Sequence, residues 1–104
     1  MSEASEIKRD GAVAQRNSGR NFDKGDAILG PFCVDYKEYN KSFGVSRSVW
    51  AKITSDAFKS GKLPALKLVL GTDQDKTKVR LWVIGESMFN EMLDAWREKY
   101  EVQD

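Results

Sequence analysis

The run Gly25-Asp26-Ala27-Ile28-Leu29-Gly30-Pro31-Phe32-Cys33-Val34-Asp35-Tyr36-Lys37-Glu38-Tyr39 decides the fold. Asp26 to Leu29 reads as a short strand. Gly30-Pro31 is a turn signal, because glycine reaches positive φ without steric cost and proline presets its own φ. From Phe32 to Tyr39 the residues alternate: Phe32, Val34 and Tyr36 point one way, and Cys33, Asp35 and Lys37 the other. The two segments therefore read as a hairpin. Asp35 and Lys37, two apart on a strand, share a face, and pairing across the hairpin brings the Asp26 carboxylate towards them.

Two carboxylates within a few ångströms repel one another, and one tends to protonate. A divalent cation bridging both removes the repulsion. It would also polarise a phosphate oxygen and lower the pKa of a bound water from 15.7 towards about 7. Lys37 is then placed to orient or deprotonate that water, or to stabilise the charge of a pentavalent transition state. These are the parts that phosphodiester hydrolysis needs. Taken alone, Asp-x-Lys fits a blander arrangement better, with Asp35 and Lys37 an exposed pair and Asp26 capping a turn. The rest of the chain changes that weighting.

Working outward, residues 3–13 suit a short helix, and Arg16-Asn17-Ser18-Gly19-Arg20-Asn21 a loop. Beyond the hairpin, Ser46 is a good N-cap and Gly61 lies just past a helix C-terminus. Between them Val49, Trp50, Ile53 and Ala57 share one helical face. Pro64 opens the apolar run Ala65 to Leu70, which suits a central strand. Residues 71–78 form a polar turn, Val79 to Ile84 another strand, and Gly85 leads into a last helix. Met88, Phe89, Met92, Leu93 and Trp96 make the apolar side of that helix. Helices flanking a mixed β-sheet are the natural way to bury such strands in one α/β domain spanning residues 1–104.

Composition narrows the chemistry. The 104 residues include no histidine and one cysteine, Cys33. Histidine-based triads, cysteine-cluster zinc sites and internal disulfides are excluded. A metal would be held by oxygen ligands, which points to Mg2+, Mn2+ or Ca2+, with Mg2+ (or Mn2+) the expected cofactor. The N-terminal residues form no signal peptide, and no apolar run approaches membrane-spanning length, so a cytoplasmic protein with no membrane partner is expected. Residues 1–80 carry 15 basic and 10 acidic side chains, and residues 81–104 carry 2 and 6. A basic body with an acidic last helix fits a polyanion on one face, although ordinary surface variation explains it as well.

The ordered pattern Ser18-Gly19-Arg20, Lys24-Gly25-Asp26, Phe32-Cys33-Val34-Asp35-Tyr36-Lys37, Lys41-Ser42-Phe43, a helix containing Trp50, then Leu63-Pro64-Ala65-Leu66 resembles the PD-(D/E)XK nuclease superfamily. It is more closely similar to small phage and prophage Holliday-junction-resolvase-like nucleases, over roughly residues 16–95. Gly25-Asp26 stands where Pro-Asp is usual, and Asp35 where Glu is commoner. The resemblance implies a restriction-endonuclease-like core of helix, hairpin, helix and further strands. It also implies Asp26 and Asp35 as metal ligands and Lys37 as the catalytic lysine. Families of this type often add a glutamate from the first helix; Glu6 and Glu3 are the upstream candidates, with Glu6 preferred. A phage-encoded protein of this kind would act in the cytoplasm of a bacterial host.

For DNA, Arg16, Ser18, Arg20 and Lys24 suit phosphate contacts in the loop that enters the Asp26 strand. Lys41, Ser42 and Arg47 lie beside the start of the middle helix, whose amides also favour a phosphate. Lys52, Lys59 and Lys62 read as a solvated face. Trp50, Trp82 and Trp96 are expected in the core, Cys33 is read as a small buried residue, and Tyr39 or Phe43 are better placed to stack on a base. Cutting two strands needs two active sites, which a C2 homodimer supplies. The last helix is one candidate interface, although core packing would explain its apolar face equally. A non-catalytic DNA-binding module and a small interaction protein docking through the acidic last helix are the rival readings.

Overall fold

In a computed structural model of the chain, the described backbone covers residues 3–16, 22–71 and 77–101, and the described side chains are those of the same residues except 3, 15, 16 and 22–25. The elements run α1 (Glu3–Asp10), β1 (Val13–Arg16), β2 (Phe22–Leu29), β3 (Phe32–Tyr39), α2 (Arg47–Lys59), β4 (Leu63–Leu70), β5 (Val79–Ile84) and α3 (Glu86–Tyr100). The five strands form one sheet in the order β1-β2-β3-β4-β5. Neighbours are antiparallel except β3 and β4, which run parallel with α2 as the crossover. A parallel pair needs a long connection, and a helix supplies it. The expected α/β domain with a mixed sheet flanked by helices is therefore present.

Local chemistry accounts for the elements around the hairpin. Gly30 has φ +59 and Pro31 follows it, joining Leu29 to its register partner Phe32. That matches the two-residue II′ pattern, with glycine at the first central position. At the start of α2 the Ser46 hydroxyl accepts a hydrogen bond from the Val49 N–H at 3.2 Å. At its end Gly61 takes φ +66, its N–H bonds to the Phe58 carbonyl, and the Lys62 N–H bonds to the Ala57 carbonyl at 2.9 Å. This is the Schellman arrangement, and it satisfies two of the last carbonyls of the helix.

The sheet has two unlike faces, set by strand alternation. On one lie Ala27, Val34, Tyr36, Ala65 and Lys67, covered by α1 through Ile7. On the other lie Asp26, Cys33, Asp35, Lys37, Leu66 and Leu68, facing α2, whose Ile53 and Ala57 are buried. Two expectations differ from this arrangement. The first helix, expected over residues 3–13, ends at Asp10, and Val13–Arg16, whose Arg16 was expected in a loop, form edge strand β1, because Gly11 (φ +74) stops the helix and turns the chain back along β2. Trp82 and Trp96, expected in the core, are about half exposed, and Trp50 is only partly buried. No residue of α3 is buried.

Candidate active site

The hairpin register sets the candidate site. Asp26 pairs directly with Asp35 across β2 and β3, so both side chains leave the sheet on the α2 side. Directly opposed residues of an antiparallel pair have Cβ atoms roughly 4.5–5.5 Å apart, and like charges there are destabilising. The Lys37 ammonium lies 3.6 Å from an Asp35 carboxylate oxygen, and its side chain is one-third exposed. The lysine is thus near enough to neutralise Asp35 in part and open enough to reach a ligand. The three residues read from the sequence as the chemical centre are brought together.

Burial and helix α2 shape the electrostatics. Desolvation raises the Asp35 carboxyl pKa, opposed by the nearby charges of Lys37 and Lys52. The Cys33 thiol, two pairs further along on the same face, is also pushed up, first by burial and then by the Asp26 charge. Lys52 forms an ion pair with Asp56 at 2.9 Å on α2. Asp56 and Ser60 follow Ile53 and Ala57 by three residues, so they flank the buried stripe of α2 and border the site. Sequence reasoning left out Asp56 and Ser60; their spacing from that apolar stripe was the available signal. Cys33 is buried, as expected, and Ser60 helps to lower its pKa through a hydrogen bond.

Glu6 is not part of this centre. It sits under the opposite face, 3% exposed, held by Arg80 through two hydrogen bonds of 3.1 and 3.0 Å and by Lys67 at 3.1 Å. The expected catalytic role of Glu6 therefore needs correcting. Lys67 pairs in register with Tyr36, not Asp35, and strand alternation puts the sheet between Glu6 and the Asp35 carboxylate. Lys67 also donates to both oxygens of Asp10 at 2.8 Å, and the Tyr36 hydroxyl donates to Asp10 at 3.0 Å. The Glu6 carboxyl is held at about 2, chiefly by Arg80 and, against the cost of burial, by Lys67. The Tyr36 phenol is pushed well up, by burial first and then by Asp10. These groups form a mutually paired set.

Among the expected DNA contacts, Lys41, Ser42 and Arg47 are exposed. They lie where β3 leads into α2, at the end of the sheet shared with the start of β2 and the end of β1. The first turn of α2 carries no acidic residue. Arg16 and Lys24 belong to β1 and β2 by their backbones, and their side chains, with all of Ser18 and Arg20, lie outside the described residues. Tyr39 and Phe43 stack on each other at 4.8 Å between ring centroids and 21° between planes. Lys52, Lys59 and Lys62 are exposed, as expected of a solvated face.

Two facing carboxylates with a lysine beside them suit an oxygen-bound divalent cation in kind. Mg2+ commonly takes one or two protein carboxylates and keeps several waters. Among the described residues no group of three or more Cys, Asp or Glu side chains gathers as a fuller cage. No helix among them is long and apolar enough to cross a membrane. Compared with known proteins, the chain matches no family model, no curated protein and no solved structure.

Proposed function

We propose that the chain is a metal-dependent DNA endonuclease of the PD-(D/E)XK type, with Asp26 and Asp35 as metal ligands and Lys37 as the catalytic lysine. One observation carries the reading: Asp26 stands directly opposite Asp35, with the Lys37 ammonium 3.6 Å from the Asp35 carboxylate. The element order supports it, since a helix, an antiparallel hairpin, a crossover helix and a parallel strand repeat the core that the sequence resemblance implies.

The chemistry follows from charge. Asp35 is desolvated and faces a second carboxylate, so Asp26 and Asp35 would hold a divalent cation that would lower the energy of the ionised pair. Bound Mg2+ or Mn2+ would supply Lewis acidity and a more acidic water. The Lys37 side chain stands beside the pair, where it would stabilise the extra negative charge on a phosphate under attack. Lys41, Ser42, Arg47 and the unneutralised N-terminus of α2 offer phosphate contacts at the adjoining end of the sheet. Branched DNA is the favoured substrate class, on the sequence resemblance. A nicking or homing-type endonuclease would use the same site.

Cleavage of labelled four-way junction, linear duplex and single-stranded DNA, in Mg2+, Mn2+ or EDTA, tests the proposal. Metal-dependent cutting that Lys37→Ala abolishes supports it, and the preferred substrate names the subclass. Binding with no cutting in either metal would replace it with a non-catalytic DNA-binding module.

A further inference from the structure

Helix α3 is amphipathic, and among the described residues much of its apolar face is left uncovered. Met88, Phe89, Met92, Leu93, Trp96 and Tyr100 fall within an arc of about 140° at 100° per residue. Phe89, Met92, Trp96 and Tyr100 are nevertheless each at least half exposed. Among the described residues no strand or other helix packs along α3 in a sustained way. The Cα radius of gyration is 15.2 Å, with a longest extent of 53 Å, against about 13 Å for a compact chain of this length. A stripe this wide is the signature of a helix with a partner.

A receptacle lies beside it. An apolar cavity of about 330 Å³ opens between the sheet and α3, lined by Leu29, Phe32, Ala65, Trp82, Ile84 and Met92. Met92 borders it from its own chain. Trp96 lies one helical turn further out, roughly 6 Å along the axis, where it packs against Tyr100 with ring centroids 5.2 Å apart. The Trp96 of the same chain therefore extends past the cavity instead of filling it.

We infer that α3 is the interface with a second copy of this chain, in a two-fold arrangement where Trp96 and Tyr100 of each protomer cover the apolar cavity of the other. Two observations favour a second copy as the occupant. Projecting rings and receiving cavity sit side by side on one chain, which is the self-complementarity an isologous contact requires. Area agrees as well. Phe89, Met92, Trp96, Tyr100 and Trp82 are each roughly half exposed. Together they present on the order of 500 Å² of large apolar side chain, more than half of the about 800 Å² that each partner contributes to a standard interface.

Sedimentation equilibrium and light scattering on the full chain test this without DNA or metal, so the result is independent of the nuclease proposal. The expected mass is twice 11.8 kDa. Trp96→Glu and Tyr100→Glu, both on exposed positions, should each weaken self-association by at least about tenfold while leaving the far-UV circular dichroism spectrum unchanged. Glu91→Lys, on the opposite side of α3, should leave the dimer intact. A wild-type chain that stays monomeric at tens of micromolar would overturn the inference. So would a dimer that neither stripe substitution weakens.

Discussion

The two faces of the sheet handle charge in opposite ways. Under α1, Glu6, Asp10, Lys67 and Arg80 are brought together at 2.8–3.1 Å. Lys67, 2% exposed, sits between two carboxylates. Under α2, two carboxylates are aligned by the strand register, and the Lys37 ion pair with Asp35 is longer, at 3.6 Å. A paired network holds its own groups ionised; Glu6 is held at about 2. A carboxylate that burial desolvates has its proton affinity raised, as at Asp35, against the opposing charges of Lys37 and Lys52. Charge balanced inside the protein serves the fold, and two carboxylates set opposite one another across a hairpin present a place where a ligand cation could be held. The contrast lies between interaction geometry and function, and each side of it can be broken separately.

The largest effect is expected on the α1 face. Lys67→Met removes the central cation and leaves Glu6 and Asp10 buried with less compensation. Breaking one partner of a buried pair costs about 3–5 kcal/mol. A urea titration should show the midpoint falling accordingly. Full stability retained in this variant would erase the distinction between the faces.

Acid should act next. The Glu6 pKa is depressed from 4.5 to about 2, so its stabilisation is present above the unfolded-state pKa and is lost as pH falls towards 2. Integrated over that window it amounts to roughly 3 kcal/mol. Asp35 has the opposite sign. Its pKa is raised, so its ionised form costs stability at neutral pH, and that cost is relieved as pH falls through the folded pKa. Denaturation followed from pH 7 to 2 should therefore show a smaller loss in Glu6→Gln than in the wild type. Asp35→Asn should steepen the net loss, because a compensating gain is removed.

A smaller effect, of reversed sign, is expected at neutral pH for Asp35→Asn itself. Removing one of two opposed carboxylates should leave stability unchanged or raise it by up to about 1 kcal/mol, read as a higher thermal midpoint. The smallest effects belong to the rim. Lys41→Ala and Arg47→Ala should leave stability within about 0.5 kcal/mol. Each should weaken DNA binding about equally across sequences and reduce the slope of log affinity against log salt by roughly 1.

The site face was the more legible of the two in the sequence, and the reasons are local. Strand alternation from Phe32 to Tyr39 and the Gly30-Pro31 turn are short-range signals, and they placed Asp26, Asp35 and Lys37 together. Ser46 and Gly61 marked α2 by the same kind of chemistry. The α1 face depends on contacts between residues far apart in the chain. Lys67 meets Asp10 across 57 positions and Arg80 meets Glu6 across 74. A lone lysine inside the apolar run Ala65 to Leu70 was the one hint that an acidic partner waited elsewhere, and Glu6 was read as a catalytic candidate instead. Edge strand β1 escaped because its four residues, Val13-Ala14-Gln15-Arg16, carry no clear alternation. The apolar face of α3 was legible as a stripe, but a stripe does not say whether its partner is its own sheet or another chain.

The comparison of the faces turns on where the chemistry sits, and single-turnover cleavage of one DNA substrate in Mg2+ by Asp35→Asn and Glu6→Gln, each corrected for its folded fraction, tests that most directly. Cutting lost by more than about a hundredfold in Asp35→Asn and kept near the wild-type rate in Glu6→Gln is the expected result. Equal loss in both variants, or unimpaired cutting by Asp35→Asn, would contradict the assignment of the α2 face as the active centre.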